Sequence, residues 1–299
     1  MYWLFITIGA YLLFALANVG DKLMITKYKT EPIVYAFYVG FLGIGSLVLI
    51  PFGVVNPGLM QLFWSLVGGF SFVFALYAMY KAISHGETST AITILGGTAP
   101  IFTFVMAFLF LHERLSWNQL IAFGFLVTAI IVISWQTKKD PEDISKPLIK
   151  WAIIAGFVFA ISFVSAKYIY SVQDFISGFF WIRIGGFITA IVIYLSAHHR
   201  KLIIKDFKRP KKTNKAKLLF IIQVLGGAGV VGQNYAFSLA SATLINALQA
   251  VQYAFIFVLV RFLGKSHPEI KEKFSHKIVV RKTIAIVLIA IGLYFLAIK

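Results

Sequence analysis

Cysteine is absent from this 299-residue chain, so disulfides, thiolate metal sites and thiol nucleophiles are all excluded. Acid is scarce as well: 11 Asp and Glu stand against 28 Lys and Arg, giving a formal net charge of +17. None of those acids falls midway along an apolar run. Charged residues make up only 13% of the chain and hydrophobic ones 60%. A soluble fold of this length needs a polar skin that such a composition does not supply. Catalytic signatures are missing too. HExxH, GxSxG, Walker A and GxGxxG occur in no usable context. The histidines (His85, His112, His198, His199, His267, His276) lie in or beside loops. The expectation is a non-enzyme with no cofactor and no metal.

What is present is long apolar runs. A bilayer core of ~30 Å takes about 20 apolar helical residues per crossing. Ten stretches qualify, at roughly 2–26, 32–52, 60–84, 88–111, 117–135, 150–171, 174–196, 218–240, 242–263 and 279–298. Numbered as spans 1 to 10, they predict an all-α polytopic protein of the cell (cytoplasmic) membrane with no separate soluble domain. Ala15-Leu16-Ala17 resembles a signal-peptidase site, but no basic residue precedes MYWLFITIGAYLLF, so the first run is read as span 1. Trp3, Trp64, Trp117, Trp135 and Trp151 fall near predicted helix ends, where amphipathic rings favour the interface. Trp181 is the exception, inside span 7.

The positive charge is confined to one side. Loops joining odd spans to even ones hold 24 of the 28 Lys and Arg, nine of them between Arg200 and Lys217. The opposite side has only Arg114 and Lys299. Cytoplasmic loops collect Lys and Arg, so the odd-to-even loops are expected inside and both termini outside. The run RKLIIKDFKRPKKTNKAK (200–217) reads as a loop facing anionic lipid rather than nucleic acid, having one aromatic and no recognition motif.

The two halves of the chain repeat. AYLLFALANVGDKLMI (10–25) over AGFVFAISFVSAKYIY (155–170) aligns Ala10 with Ala155, Phe14 with Phe159 and Lys22 with Lys167 without a gap. GGFSFVFALYA (68–78) over GGAGVVGQNYA (226–236) aligns the double Gly and the Tyr-Ala pair. Five spans per half is an odd number, so the second half enters the membrane in the opposite sense. That makes a 5+5 inverted-topology repeat, which in secondary transporters places the site near the midplane between the halves. The expected organisation is a first repeat at 1–137, a connecting loop at 138–149 and a second repeat at 150–299.

TAITILGGTAPIFTFVMAFLFLHERLSWNQL (90–120) is similar to the signature of the drug/metabolite transporter superfamily, EamA type: small residues, Ala-Pro, a long apolar run, then Glu-Arg-Leu-Ser opening span 5. With ten spans in two repeats, the resemblance covers essentially the whole chain. It implies a metabolite carrier or exporter driven by an ion gradient or by exchange. Two departures stand out. The second half has RFLGKSHPEI (261–270) in place of a second HERLS. The charge count also puts the termini outside, where ten-span members of the superfamily lead one to expect them inside.

Arg183 is the leading candidate for substrate contact. About ten residues into span 7, it sits near mid-membrane, where a charge costs at least ~2.5 kcal/mol and needs a partner. With no acid at that depth, an anionic substrate can be the partner, since guanidinium grips carboxylate or phosphate bidentately. Backbone carbonyls, amides, or Asp174 through a bend could hold it instead. Asn246, Gln249 and Tyr253 share a face of span 9 with Gln252 at its edge, and Gln233 and Asn234 stand in span 8. These amides suit either a zwitterion or hydrogen bonds between helices. Tyr77 and Tyr80 in span 3 are further candidates, weighed against packing. Asp21 is the best available proton carrier, sharing a face with Asn18 and Lys22; Lys22 and Lys167, at equivalent positions, could gate or snorkel. Glu113 and Arg114 read as a structural turn, and Pro100 after Gly96 and Gly97 predicts a bend in span 4.

The leading expectation is a secondary transporter of a small anionic or zwitterionic metabolite, such as an amino acid, working by alternating access as a monomer or homodimer. A lipophilic-cation exporter is the runner-up, opposed by a central Arg without a central carboxylate. An intramembrane transferase acting on lipid-linked substrates would need clustered acids or histidines at a membrane face, which the sequence lacks.

Overall fold

The structure, a computed structural model, describes residues 2–26, 31–85, 88–134, 145–208, 213–263 and 276–298. Everything regular among them is helical. The elements are α1 (Tyr2–Thr26), α2 (Pro32–Phe41) continuing as a 3₁₀ helix (Leu42–Phe52), α3 (Leu59–Ser84), α4 (Thr88–Leu111), α5 (Trp117–Ser134), α6 (Lys146–Val172), α7 (Phe175–Leu195), α8 (Ala197–Lys208), α9 (Thr213–Leu239), α10 (Ala242–Ala247), α11 (Gln249–Leu263) and α12 (His276–Ala297).

Among the described residues eight helices are long and apolar enough to cross a membrane, and Trp117–Val132 is a shorter apolar helix. Expected spans 5 and 8 are thus the weak ones. Span 5 is short, and span 8 is α9, whose middle GGAGVVGQN is small and amide-bearing rather than strongly apolar. A large outward-facing apolar surface (Phe5, Val48, Phe110, Val192 and Phe220 are all exposed) suits a bilayer, which replaces water as the solvent for that face.

Three features depart from ten plain helices. Span 2 is half 3₁₀: LGIGSLVLIPF carries two glycines and a proline, and it ends at Gly53 with φ +92°. At about 2.0 Å per residue instead of 1.5 Å, those residues reach some 5 Å further than an α-helix would. Span 9 is broken at Leu248 between α10 and α11. Residues 197–208, expected as loop, form the amphipathic helix α8. It buries Ile203 against Val34, Phe37 and Ala190 and exposes Arg200, Lys201, Lys205 and Lys208. Tyr38 of α2 donates to Asp206 Oδ2 of α8 at 3.1 Å.

Helix pairing is close wherever glycine permits it. α6 packs along α3 and α4, α1 along α9 and α11, and α5 along α12. α7 lies between α3 and span 2. A Cβ on Gly69 would stand 2.3 Å from the Ile182 carbonyl oxygen, and one on Gly43 would stand 2.4 Å from that of Arg183. Both faces of the Arg183 turn therefore rest directly on neighbouring backbone, as in small-residue packing between membrane helices.

Candidate functional site

That clamp decides where Arg183 points. With α3 on one side and the 3₁₀ segment on the other, its side chain emerges into a cavity of about 510 Å³ bounded by α1, span 2, α3, α7 and α9. The guanidinium carbon lies 5.1 Å above the Phe72 ring centroid, a cation–π placement. Among the described residues no carboxylate and no hydrogen-bond acceptor pairs with it. The walls are largely apolar, including Phe14, Leu76, Met79 and Phe179. Two buried polar atoms in the lining, Ser46 Oγ on the 3₁₀ segment and Gln223 Nε2 on α9, have no hydrogen-bond partner among the described residues. A buried polar atom left unpaired costs roughly 1–3 kcal/mol, which a ligand's polar groups can remove. Guanidinium, hydroxyl and amide together present donors, the complement of an oxygen-rich anion.

Asp21 lines the far end of the same cavity, with Asn18. Its Oδ1 accepts from the Tyr35 hydroxyl, and Tyr80 lines the same end of the cavity. The rings of Tyr35 and Tyr80 meet edge to face at 4.7 Å, fixing both hydroxyls.

The other sequence candidates divide. Tyr80, Gln249, Gln252 and Tyr253 line a second, smaller cavity beside Asp21 and Asn18. Asn246 is buried and donates to Thr103 Oγ1 at 2.7 Å, joining α10 to α4. Gln233 donates to Tyr11 at 3.2 Å, and Tyr11 in turn donates to the Ile245 carbonyl at 2.7 Å. Asn234 accepts from Tyr170 at 2.9 Å. These three amides act as bonds between helices. Tyr77 accepts from Lys81 at 3.0 Å and lines neither cavity. Lys167 donates to the Phe237 carbonyl at 3.0 Å, at the opposite end of the molecule from Asp21. The side chain of Lys22 lies outside the described residues.

The HERL turn has a definite task. His112 adopts φ +51°, ending α4, and the Glu113 amide returns to the Ala107 carbonyl at 3.1 Å. Glu113 Oε1 then accepts from Ser241, whose oxygen caps α10 through Leu244 N at 3.1 Å. The motif thereby ties the end of span 4 to the start of broken span 9. Trp181 is explained as well, because its indole donates to the Val55 carbonyl at 2.9 Å.

At the head of α7, Asp174 accepts from Ser177 N at 3.0 Å as its N-cap. Burial pushes its carboxyl up, but the hydrogen bonds from Ser177 prevail and hold it below the ordinary carboxylate range. A lowered folded-state value means the cap's stabilisation is full above the unfolded value, near 4, and fades as pH falls through the folded one. Asp174→Ala should cost about 1 kcal/mol at neutral pH, and the deficit should shrink in acid. Melting temperatures of the two proteins across that range check it.

Among solved structures, one described only as a crystal structure of a protein superposes with a TM-score of 0.67 at 12% identity, covering 100% of this chain and 98% of that one. At that identity it shows a shared fold. No curated protein matches the chain. Residues 1–135 match the EamA-like transporter family. Over those residues, a little under half of its length, the chain is similar to the EamA-like transporters of the drug/metabolite transporter superfamily, which points to a membrane transporter of small molecules.

Proposed function

We propose that the chain carries a small organic metabolite bearing a carboxylate or phosphate by alternating access of two inverted five-span halves, with Arg183 as the substrate's counter-charge. The observation that carries this is the guanidinium in the 510 Å³ cavity without a described anionic partner. Ser46 and Gln223 supply further donors, and Phe72 and Phe179 receive an apolar substrate body.

The packing supports the inverted repeat. α1 pairs with α9 and α11 as α6 pairs with α3 and α4, the relation expected if spans 1–5 correspond to spans 6–10. One correspondence fails in an instructive way. α7 packs along α3, whereas its counterparts, span 2 and α9, are held apart by the cavity. The cavity reaches from Arg183 toward the end bearing Asp21 and Tyr35. The other end is joined by Gln173 to Gln61 at 2.9 Å, Tyr170 to Asn234 at 2.9 Å and Val55 N to Ser177 Oγ at 3.0 Å. This corresponds to a state facing the odd-to-even loops, the cytoplasm by the charge count. Exchanging the two arrangements would close span 2 on α9 and open the other end. The exposed cations of α8 rest on anionic lipid headgroups, through which α8 steadies α2.

Gly45 and Gly227 face the gap from its two walls, and a Cβ on either meets nothing within 4 Å. In this cysteine-free chain, Gly45→Cys with Gly227→Cys should remain active when reduced. Oxidation should then trap span 2 against α9 and abolish uptake into proteoliposomes, with reductant restoring it. Full activity of the cross-linked protein would overturn alternating access across this gap.

Orientation has its own test. Asn56→Cys, between spans 2 and 3, should react with an impermeant thiol reagent added outside intact cells.

A further inference from the structure

Behind the large cavity lies a second one of about 50 Å³, room for a water-sized body but not for an organic molecule. Six oxygen-bearing side chains line it: Asn18 and Asp21 from α1, Tyr80 from α3, and Gln249, Gln252 and Tyr253 from α11. Ile83, Ile92 and Leu95 close it with apolar surface. Among the described residues the amides of Asn18, Gln249 and Gln252 have no hydrogen-bonding partner. Gln252 is nevertheless only 4% exposed, a position where an amide is costly unless satisfied. Asp21 forms no ion pair with any described cation.

From this geometry we infer a binding site for a sodium ion, coordinated by the Asp21 carboxylate, the amide oxygens of Asn18, Gln249 and Gln252, and the hydroxyl oxygens of Tyr80 and Tyr253. The donor set is all oxygen, which suits a hard cation. It contains a single carboxylate, and no group of three His, Cys, Asp or Glu occurs among the described residues, so the charge balances a monovalent ion and not calcium or magnesium. Six oxygens suit the coordination number usual for sodium, whereas the larger potassium ion generally takes more ligands. A proton alone would engage one oxygen of Asp21 and leave the three amides unsatisfied. Gln249 is the first residue of α11, immediately after the break at Leu248, and interrupted helices are where transporters of this construction coordinate sodium.

Asn18, Asp21 and Tyr80 line both cavities. An ion in the small one fixes one wall of the large one, so sodium and substrate should bind with positive coupling. That coupling role rests on the transport reading above; occupancy by the ion does not.

The test is the melting temperature of purified protein in detergent, with sodium chloride replacing choline chloride at constant ionic strength and pH and no organic ligand present. The wild type should show a saturable rise with sodium and none with potassium. Asp21→Asn and Gln252→Leu should raise the half-saturating concentration at least tenfold, whereas Arg183→Gln should keep the wild-type response. If Gln252→Leu does not fold, Gln249→Ala at the more open side of the cavity gives the same reading. A wild type indifferent to sodium overturns the site, as does a rise that persists unchanged in folded Asp21→Asn. A response that follows pH instead of sodium also overturns it, in favour of a proton. An Arg183→Gln protein that retains its sodium response but binds no anion would leave this site standing, so the two readings fail separately.

Discussion

Arg183→Gln should reduce kcat/KM for the transported anion by about 30- to 4000-fold, the equivalent of the ~2–5 kcal/mol carried by a buried charge pair that loses one partner. Glutamine preserves most of the length and the contact with Phe72 but neither the charge nor the paired donors. Arg183→Lys should fall between, because ammonium keeps the charge and loses the bidentate grip. The unliganded Gln variant should melt at or above the wild-type temperature. The wild-type guanidinium is held in an apolar cavity with only an aromatic face as partner, a strain that substrate binding relieves. If Arg183 instead braced the fold, removing it would lower the melting temperature and the transport loss would follow from that. Proteoliposome uptake and thermal melts on one preparation separate the two cases.

Gly69→Val should be the most damaging single substitution outside the site, costing more than about 3 kcal/mol, the upper part of the overpacking range. The first atom added at Gly69 would lie 2.3 Å from the Ile182 carbonyl oxygen and 2.4 Å from Gly186 N. These are backbone atoms inside α7 and cannot turn aside as a side chain could. α3 and α7 must separate, and the Arg183 turn moves with them. Gly124→Ala is the matched control: nothing lies within 4 Å of its Cβ position, and alanine favours a helix by up to about 1 kcal/mol over glycine. Size-exclusion profiles and melting temperatures should show Gly69→Val aggregated or unfolded and Gly124→Ala unchanged or slightly stabilised. A Gly69→Val protein with wild-type stability would mean that α3 and α7 do not meet at these glycines.

Reading depth along a span was within reach of the sequence; reading neighbours was not. Ten apolar runs translate into helices because a bilayer forces backbone hydrogen bonds inward, and Arg183 stands out because charge is so rare at that depth. Periodicity assigns a residue to a face, however, and not to whatever packs on that face. Asn246 and Gln249 share a predicted face, yet the break at Leu248 sends Asn246 to Thr103 and Gln249 to the small cavity. Gln233 and Asn234 were equally plausible as site or as glue, and only the positions of Tyr11 and Tyr170 distinguish the uses. Ser46 and Gln223 carry no signal in the sequence, since a lone serine or glutamine in an apolar run gains meaning only from the cavity beside it. The 3₁₀ stretch left a trace that could have been read: Gly43, Gly45 and Pro51 within one span. The amphipathic character of AHHRKLIIKDFK is likewise legible, but its basic residues dominate the segment, and only the neighbouring helices show that Ile203 and Asp206 seat it.

The most direct test of Arg183 as a substrate counter-charge is ligand-induced stabilisation, measured on wild type and Arg183→Gln against amino acids, organic acids, sugar phosphates, nucleotide sugars and lipophilic cations. A ligand that binds only the folded state adds RT ln(1 + [L]/Kd), about 2.7 kcal/mol at a hundredfold excess over Kd. The prediction is a rise in melting temperature with one anionic or zwitterionic class, absent in the folded Gln variant. A well-folded Arg183→Gln protein that keeps every ligand shift, or a wild type stabilised only by lipophilic cations, would contradict it.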